Sequence, residues 1–250
     1  LTYSPVEFKY LSSNIWRLIP LLHDHGAVQM AIDTWLLEQH RLGLHPPTLR
    51  FYTWKPAISL GYHQRQYPDS WRQLTWNRQL LELVRRPSGG RAVLHQGDLT
   101  YAVVTSNLGG TRMQAYQKIC EFLIAGWQRL GVDLHYGEAG RGYIHNPNCF
   151  GTATGADLVT FEGVKLIGSA QLRRDQAILQ HGSMRLHTDA ALFQQVFEVE
   201  LPPLALPIDP SAISPIVDVL TLAAQRCFEA EFVIQPLTET EWQGIASLIP

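Results

Sequence analysis

The chain has 250 residues, of which 46% are hydrophobic and 17% charged; this balance supports a folded core and excludes an intrinsically disordered chain. Twenty basic residues against twenty-two acidic ones leave a net charge of −2, so no basic excess points to a nucleic-acid partner. Three cysteines at irregular spacing exclude a disulfide framework. No apolar run approaches the ~18 residues that span a bilayer, and no signal-peptide pattern opens the chain; the expected setting is a reducing, cytoplasmic one with no membrane partner.

In chain order, Asn14–Pro20 ("NIWRLIP") reads as a strand. Gly26 to about Gln39 reads as a helix, with Val28, Ile32, Trp35 and Leu36 at helical spacing. Thr48–Trp54 ("TLRFYTW") alternates Leu49, Phe51 and Thr53 against Arg50, Tyr52 and Trp54, which suits a strand, and "AISLGYHQ" is a further extended piece. A helix is expected over Pro68–Leu81. Leu83–Arg86 reads as a strand end, Pro87-Ser88-Gly89-Gly90 as a turn, and Ala92–His95 and Asp98–Thr105 as strands of a hairpin. Thr111–Leu130 is a helix with Met113, Tyr116, Cys120, Leu123, Trp127 and Leu130 on one stripe.

"GVDLHY" returns as a strand, and Gly137–Thr154 is a Gly/Asn/Pro-rich loop of a length that in compact domains is functional or disordered. A hairpin around Glu162-Gly163, the strand "AILQHGSMRL" and a proline-punctuated connector over 202–215 follow. The chain closes with a helix bearing Ile213, Ile216, Leu220, Ala224 and Cys227 on one face, a strand "EFVIQPL" and a last helix from Glu239. Strands and helices mix without a βαβ repeat. The pattern predicts an α+β fold, a central mixed or antiparallel sheet flanked by helices, in one large domain. No phosphate-binding GxxxxGK[ST] loop and no GxGxxG turn appears.

Cys120 and Cys227 fall on apolar helix stripes and are expected in the core. Cys149 stands in the polar loop, between Asn146-Pro147-Asn148 and Phe150-Gly151, with no periodic segment to explain it. Three readings stay open from the residues: an incidental thiol, a metal ligand recruiting His145, or a nucleophile. The last needs a cation nearby to raise the thiolate fraction, and Lys165, Arg141 and His181 are candidates. Glycines interrupt the chain at Gly89-Gly90, at Gly168 in "KLIGSAQ" and at Gly182 in "LQHGS". Such positions mark close approach of a ligand or a second backbone, and together they suggest a narrow slot for an elongated apolar chain. Arg85, Arg86 and Arg91 flank the first of them, suited to phosphate or carboxylate.

Read together, "GAVQMAIDTWLL", "PTLRFYTWKPAISLGYHQ", "RRPSGGRAVLHQGDLTYAVV", "GVKLIGSAQLRR" and "ILQHGSMRL" resemble, in order, the blocks of the biotin/lipoate A/B protein ligase family. The resemblance covers about Trp16 to Asp189. It departs from the family at Gln96, where an acid is usual, and at Asp98, where glutamate is common. With Cys149 in the loop before the lysine strand, the chain looks most like the LipM-type octanoyltransferases; LipB-type enzymes carry their cysteine after the third block.

The resemblance implies a fold like the catalytic domain of class II aminoacyl-tRNA synthetases and biotin ligases. The expected organisation is a single catalytic domain over 1–250 with its core at about 14–200, the connector at 202–215 and a helical segment at 211–250 packed on it. The implied activity is octanoyl transfer from acyl carrier protein to a lysine of a lipoyl domain, such as the glycine-cleavage H protein, through a thioester on Cys149. Lys165 is assigned the oxyanion and the lowering of the thiol pKa. Arg86, Ser88, Gly89, Gly90, Arg91, His95, Gly168, Ser169, Gln171, His181 and Gly182 are assigned to the acyl and substrate site. No cofactor and no metal are expected. The alternatives are a lipoate ligase using ATP and Mg, an amidotransferase between lipoyl domains, and a non-catalytic acyl- or carrier-binding module.

Overall fold

The structure, a computed structural model, describes residues 14–137 and 156–250. In chain order the first elements are β1 (Ile15–Asp24), α1 (Gly26–Arg41), β2 (Thr48–Trp54), β3 (Ala57–Leu60), β4 (Thr75–Trp76), β5 (Gln79–Leu80), β6 (Glu82–Arg85), β7 (Val93–His95) and β8 (Asp98–Ser106). There follow α2 (Arg112–Arg129), β9 (Leu134–Tyr136), β10 (Leu158–Thr160), β11 (Lys165–Arg174), β12 (Ala177–Arg185), α3 (Ala190–Phe197), α4 (Ile213–Cys227), β13 (Glu231–Ile234) and α5 (Glu239–Ala246). Among the described residues one sheet has eight strands in the order β13-β1-β2-β8-β12-β11-β10-β9. β1 pairs in parallel with β13 and β2, and every other pairing in it is antiparallel. A second sheet, β6-β3-β7, carries the Ser-Gly-Gly turn between β6 and β7.

The alternation in β2 sets the two faces of the large sheet. Leu49 and Phe51 join Leu99, Tyr101 and Val103 of β8 in a core closed by α2 and α4, through Phe122, Leu123, Trp127 and Leu220. Tyr52 and Trp54 join Ala102 and Val104 on the opposite face, covered by Met30, Ile32 and Leu36 of α1. Neither face is left to water, so Arg50, on the face that alternation makes polar, is itself buried. A third cluster ties β3 and β7 to α3 through Ile58, Leu94, Phe193 and Phe197, and includes Trp71.

Local chemistry accounts for the element ends. Thr111 and Gln114 form a capping box that starts α2, and Thr238 and Glu241 do the same for α5. α1 has no side-chain cap of its own; the Glu82 carboxylate, from β6, accepts from Gly26 N at 2.7 Å and Ala27 N at 2.9 Å, placing an anion at the positive helix end. Glu241 also grips the buried Arg17 of β1 through two bonds of 2.6 and 2.9 Å, fastening α5 to the sheet.

Three expectations change. The helix expected over Pro68–Leu81 is instead a short 3-10 turn over Asp69–Gln73 followed by the β4–β5 hairpin. Asn77 and Arg78 both take left-handed backbone (φ 49° and 63°), the conformation of a tight hairpin turn, and burial of Trp71, Leu74 and Leu81 overrides helical periodicity. β1 does not stop at Pro20: its register against β2 shifts between Ile19 and Leu22, a bulge that absorbs the proline's missing N–H. Helix α3, absent from the sequence reading, is capped by the Asp189 side chain on Leu192 N at 2.8 Å.

Candidate active site

β8, β11 and β12 lie side by side at the middle of the large sheet, and the turn between β6 and β7 lies over them. A cavity of about 450 Å³ opens between them, within the range of roughly 300–1,000 Å³ typical of small-ligand sites. Its apolar wall comes from Met30, Trp54, Val93, Met113 and Tyr116. Of the residues singled out in the sequence, Arg86, Gly89, Gly90, His95, Lys165, Gly168, Ser169, Gln171, His181 and Gly182 all line it. Ser88 and Arg91 are not among the lining residues. Cys149, with Arg141 and His145, lies outside the described residues.

Lys165 opens β11 and is buried, its Nζ 2.8 Å from Oδ1 of Asp157, just ahead of β10. The side chain folds back over its own strand, and Gly168 makes room for it: a Cβ there would stand 2.9 Å from Lys165 Cε. Gly168 thus clears the lysine as well as lining the cavity. Gly182 permits the tightest approach in the sheet, since a Cβ would meet Ser169 Oγ at 2.4 Å and Tyr101 Cε1 at 2.7 Å. Ser169 Oγ accepts from the Tyr101 hydroxyl at 2.8 Å, and Gln171 donates to Gln180 Oε1 at 3.0 Å.

Two imidazoles hold the polar wall. His181 Nδ1 lies 2.7 Å from Asp33 Oδ2, and its Nε2 lies 2.5 Å from Ser88 Oγ. Asp33, fully buried on α1, also accepts from Arg50 Nε at 2.9 Å and from the Tyr52 hydroxyl at 2.9 Å. Burial alone would raise the Asp33 carboxyl; the Arg50 charge and the bonds from His181 and Tyr52 bring it below the usual carboxylate range. An ionised Asp33 orients Nδ1–H of His181 toward itself, which turns Nε2 to Ser88.

His95 repeats the pattern: Nδ1 lies 2.8 Å from Asp98 Oδ2, and Nε2 lies 2.8 Å from Ser59 Oγ. The ring stacks on Trp54, centroids 3.7 Å apart, and burial pushes its pKa down despite Asp98. Arg86 donates to Ser59 O and Oγ at 2.7 and 2.8 Å, to Arg91 O at 2.8 Å and to Gly89 O at 3.1 Å, so its guanidinium ties the glycine turn to β3.

Cys120 is fully buried, with Gln180 donating to its Sγ at 3.4 Å; burial pushes its pKa up to about 12, which keeps it a thiol. Cys227 packs half-buried against the same core. No group of His, Cys, Asp or Glu among the described residues is arranged to hold a metal ion, and no helix among them is long and apolar enough to cross a membrane.

Sequence reasoning missed Asp33, Asp157 and Ser59. The available signal for Asp33 was its spacing from Gln29, four apart on a helix whose neighbouring positions are apolar; two polar residues on a buried face require partners. For Asp157 and Ser59 the sequence carried no comparable mark.

Residues 25–202 match the model of the lipoyl protein ligase A/B catalytic domain. The chain belongs to this family. It is 37% identical over 200 residues to Octanoyltransferase LipM of Anoxybacillus flavithermus, covering 75% of this chain and 71% of that one. It is 40% identical over 190 residues to the Kyrpidia tusciae protein of the same name, covering 71% and 69%. Against Octanoyltransferase LipM of Bacillus subtilis it is 37% identical over 191 residues, covering 72% and 68%.

Among solved structures, lipoate-protein ligase A bound with ATP superposes with a TM-score of 0.74 at 22% identity, covering 93% of each chain. The bi-partite lipoate protein ligase of Thermoplasma acidophilum gives 0.74 at 21%, covering 96% and 92%. These two establish the fold, an α+β lipoyl protein ligase fold, and the cavity lies at the centre of its sheet.

Proposed function

We propose that the chain is an octanoyltransferase of lipoate biosynthesis, taking an octanoyl group from an acyl carrier protein thioester to a lysine of a lipoyl domain such as the glycine-cleavage H protein. The observation that carries the reading is the buried Lys165–Asp157 pair at one end of a largely apolar cavity. Its kinship with octanoyltransferases of 36–40% identity supports the same chemistry. Of the described residues nearest to Cys149 on either side, Gly137 N donates to Asp157 O at 2.9 Å, and Ala156, which lines the cavity, accepts from the Tyr116 hydroxyl.

In this mechanism the Cys149 thiolate attacks the donor's thioester carbonyl. The carbon–sulfur bond to the donor breaks, the departing thiol takes a proton, and the octanoyl group is left on Cys149. The neutral amine of the acceptor lysine then attacks the same carbonyl, a C–N bond forms, the bond to Cys149 breaks, and the amine gives up its proton. Lys165 faces the oxyanion of each tetrahedral intermediate, a contribution of ~3–4 kcal/mol for one preorganised donor, and favours the thiolate of Cys149. Asp157 fixes where its ammonium sits. The apolar wall receives the alkyl chain, and neither step calls for a cofactor.

Intact mass after incubation with the octanoyl-carrier thioester tests the reading. A hydroxylamine-labile octanoyl adduct is expected on the wild type and not on Cys149→Ser. Absence of the adduct on wild type, or lipoylation that depends on ATP and survives Cys149→Ala, overturns it.

A further inference from the structure

The charge of the chain is not evenly spread. Residues 61–91 hold six arginines, no lysine and two acids, within a chain of twenty basic and twenty-two acidic residues. One of the two acids, Glu82, is engaged at the start of α1, and one of the arginines, Arg86, is turned into the glycine turn. What the segment presents to water is Arg65, Arg72, Arg78 and Arg85 against Asp69. Arg72 and Arg85 also bond within the segment, to the Tyr67 hydroxyl and to backbone carbonyls. Trp71, 2% exposed, anchors it through Nε1 to Val196 O at 2.9 Å. Among the described residues Arg65 and Arg78 enter no ion pair or side-chain hydrogen bond. Tyr62 and Leu80 are 57% and 63% exposed on the same segment.

This segment is fastened to the cavity mouth. Tyr62 N donates to Ser88 O at 2.8 Å, and Arg85 donates to Gly61 O and Gln64 O at 2.8 Å each. Gly61 packs so closely on the turn that a Cβ would stand 1.8 Å from Gly90 O. Gly89 and Gly90 line the cavity, as does the exposed Arg112 of α2. A body resting on the arginines therefore sits beside the entrance.

We propose that the excursion from Gly61 to Arg85 is the docking surface for the acidic protein that delivers the acyl thioester, an inference that rests on the transferase function above. Exposed like charges carried on one segment beside a site of a net-negative chain raise the encounter rate with a partner of opposite sign. The donor fits better than the acceptor. A thioester on a phosphopantetheine arm brings a phosphodiester anion as well as an acidic carrier, whereas the acceptor presents a lysine that is a cation until it loses its proton. An arginine-rich flank attracts the phosphodiester and the acidic carrier, and has no such attraction for the lysine.

The test compares wild type with Arg65→Glu/Arg78→Asp, aspartate being tolerated at the left-handed position 78. The donors are octanoyl thioesters on an acidic carrier protein and on free pantetheine. A roughly tenfold fall in kcat/KM for the carrier donor is expected, with a flatter salt dependence, unchanged saturating kcat and unchanged rates with octanoyl-pantetheine. Equal effects on both donors, no effect on either, or a change confined to the acceptor's KM overturns the proposal. If wild type uses neither thioester, the transferase reading fails by itself. Titration with unacylated carrier protein then still decides the surface: weaker binding by the double variant supports it and equal binding overturns it.

Discussion

His181 and His95 are the same device built twice, a buried imidazole with a carboxylate on Nδ1 and a serine on Nε2, yet they are assembled in opposite ways. His95 and Asp98 are three residues apart across one hairpin, and Asp98 is otherwise met by Ser183 at 2.6 Å and Thr100 at 3.3 Å. His181 joins three distant elements: Asp33 on α1, Ser88 in the glycine turn and β12 itself. Its carboxylate is compensated by the buried Arg50 guanidinium. The first arrangement fixes a hairpin; the second fastens the wall of the cavity to the helix behind the sheet. The charge balance of the second makes it the costlier to break.

The largest effect follows from that difference. Asp33→Ala leaves the Arg50 charge, the Tyr52 hydroxyl and His181 without their shared partner, and a loss of ~3–5 kcal/mol in urea unfolding is expected. Asp98→Ala strands only a neutral imidazole and hydroxyls and costs less, ~1–3 kcal/mol. An equal or reversed ranking would remove the distinction between the two carboxylates.

Acidification acts on the His95 arrangement next. Burial holds the His95 pKa below its ordinary 6.5, so the unfolded chain binds a proton there before the folded one does. The His95 contribution is complete above pH ~6.5 and is lost as pH falls from there toward the folded value, at up to about 1.4 kcal/mol per pH unit. His95→Gln should flatten stability against pH over that interval. A wild-type slope that persists unchanged in the variant would place the titration elsewhere. Asp33 and Glu241, both held low in the folded state, add a further loss at more acidic pH.

The smallest contrast is between the serines. Ser88→Ala removes one hydroxyl bond and Ser59→Ala two, from Arg86 and to His95, at ~1 kcal/mol of stability per bond. Their effects on acyl transfer should differ. Ser88 supplies the side-chain link between the glycine turn and His181, whereas Arg86 still holds Ser59 through its carbonyl when the hydroxyl is gone. Steady-state kinetics should show kcat/KM falling for Ser88→Ala and nearly unchanged for Ser59→Ala; matching losses would mean that the link through His181 does not position the turn.

What the sequence by itself determined was carried by local periodicity and by short blocks in a fixed order. The stripe in α2, the alternation in β2, the hairpin from β10 to β11 and the glycine turn depend on near neighbours, so their elements could be read with boundaries shifted by a few residues. The same holds for the packing of Cys120 and for the set of residues that came to line one cavity. Only the tertiary structure decided the burial of both sheet faces, the hairpin in place of a helix after Trp71, and the partners of Lys165 and His181. Those outcomes rest on what packs against each segment and on charges brought together from far apart: Asp33 and His181 are 148 residues apart in sequence and 2.7 Å apart in space. Neither residue type nor spacing records such a pairing, because the free energy of a buried charge is set by whatever the fold places beside it.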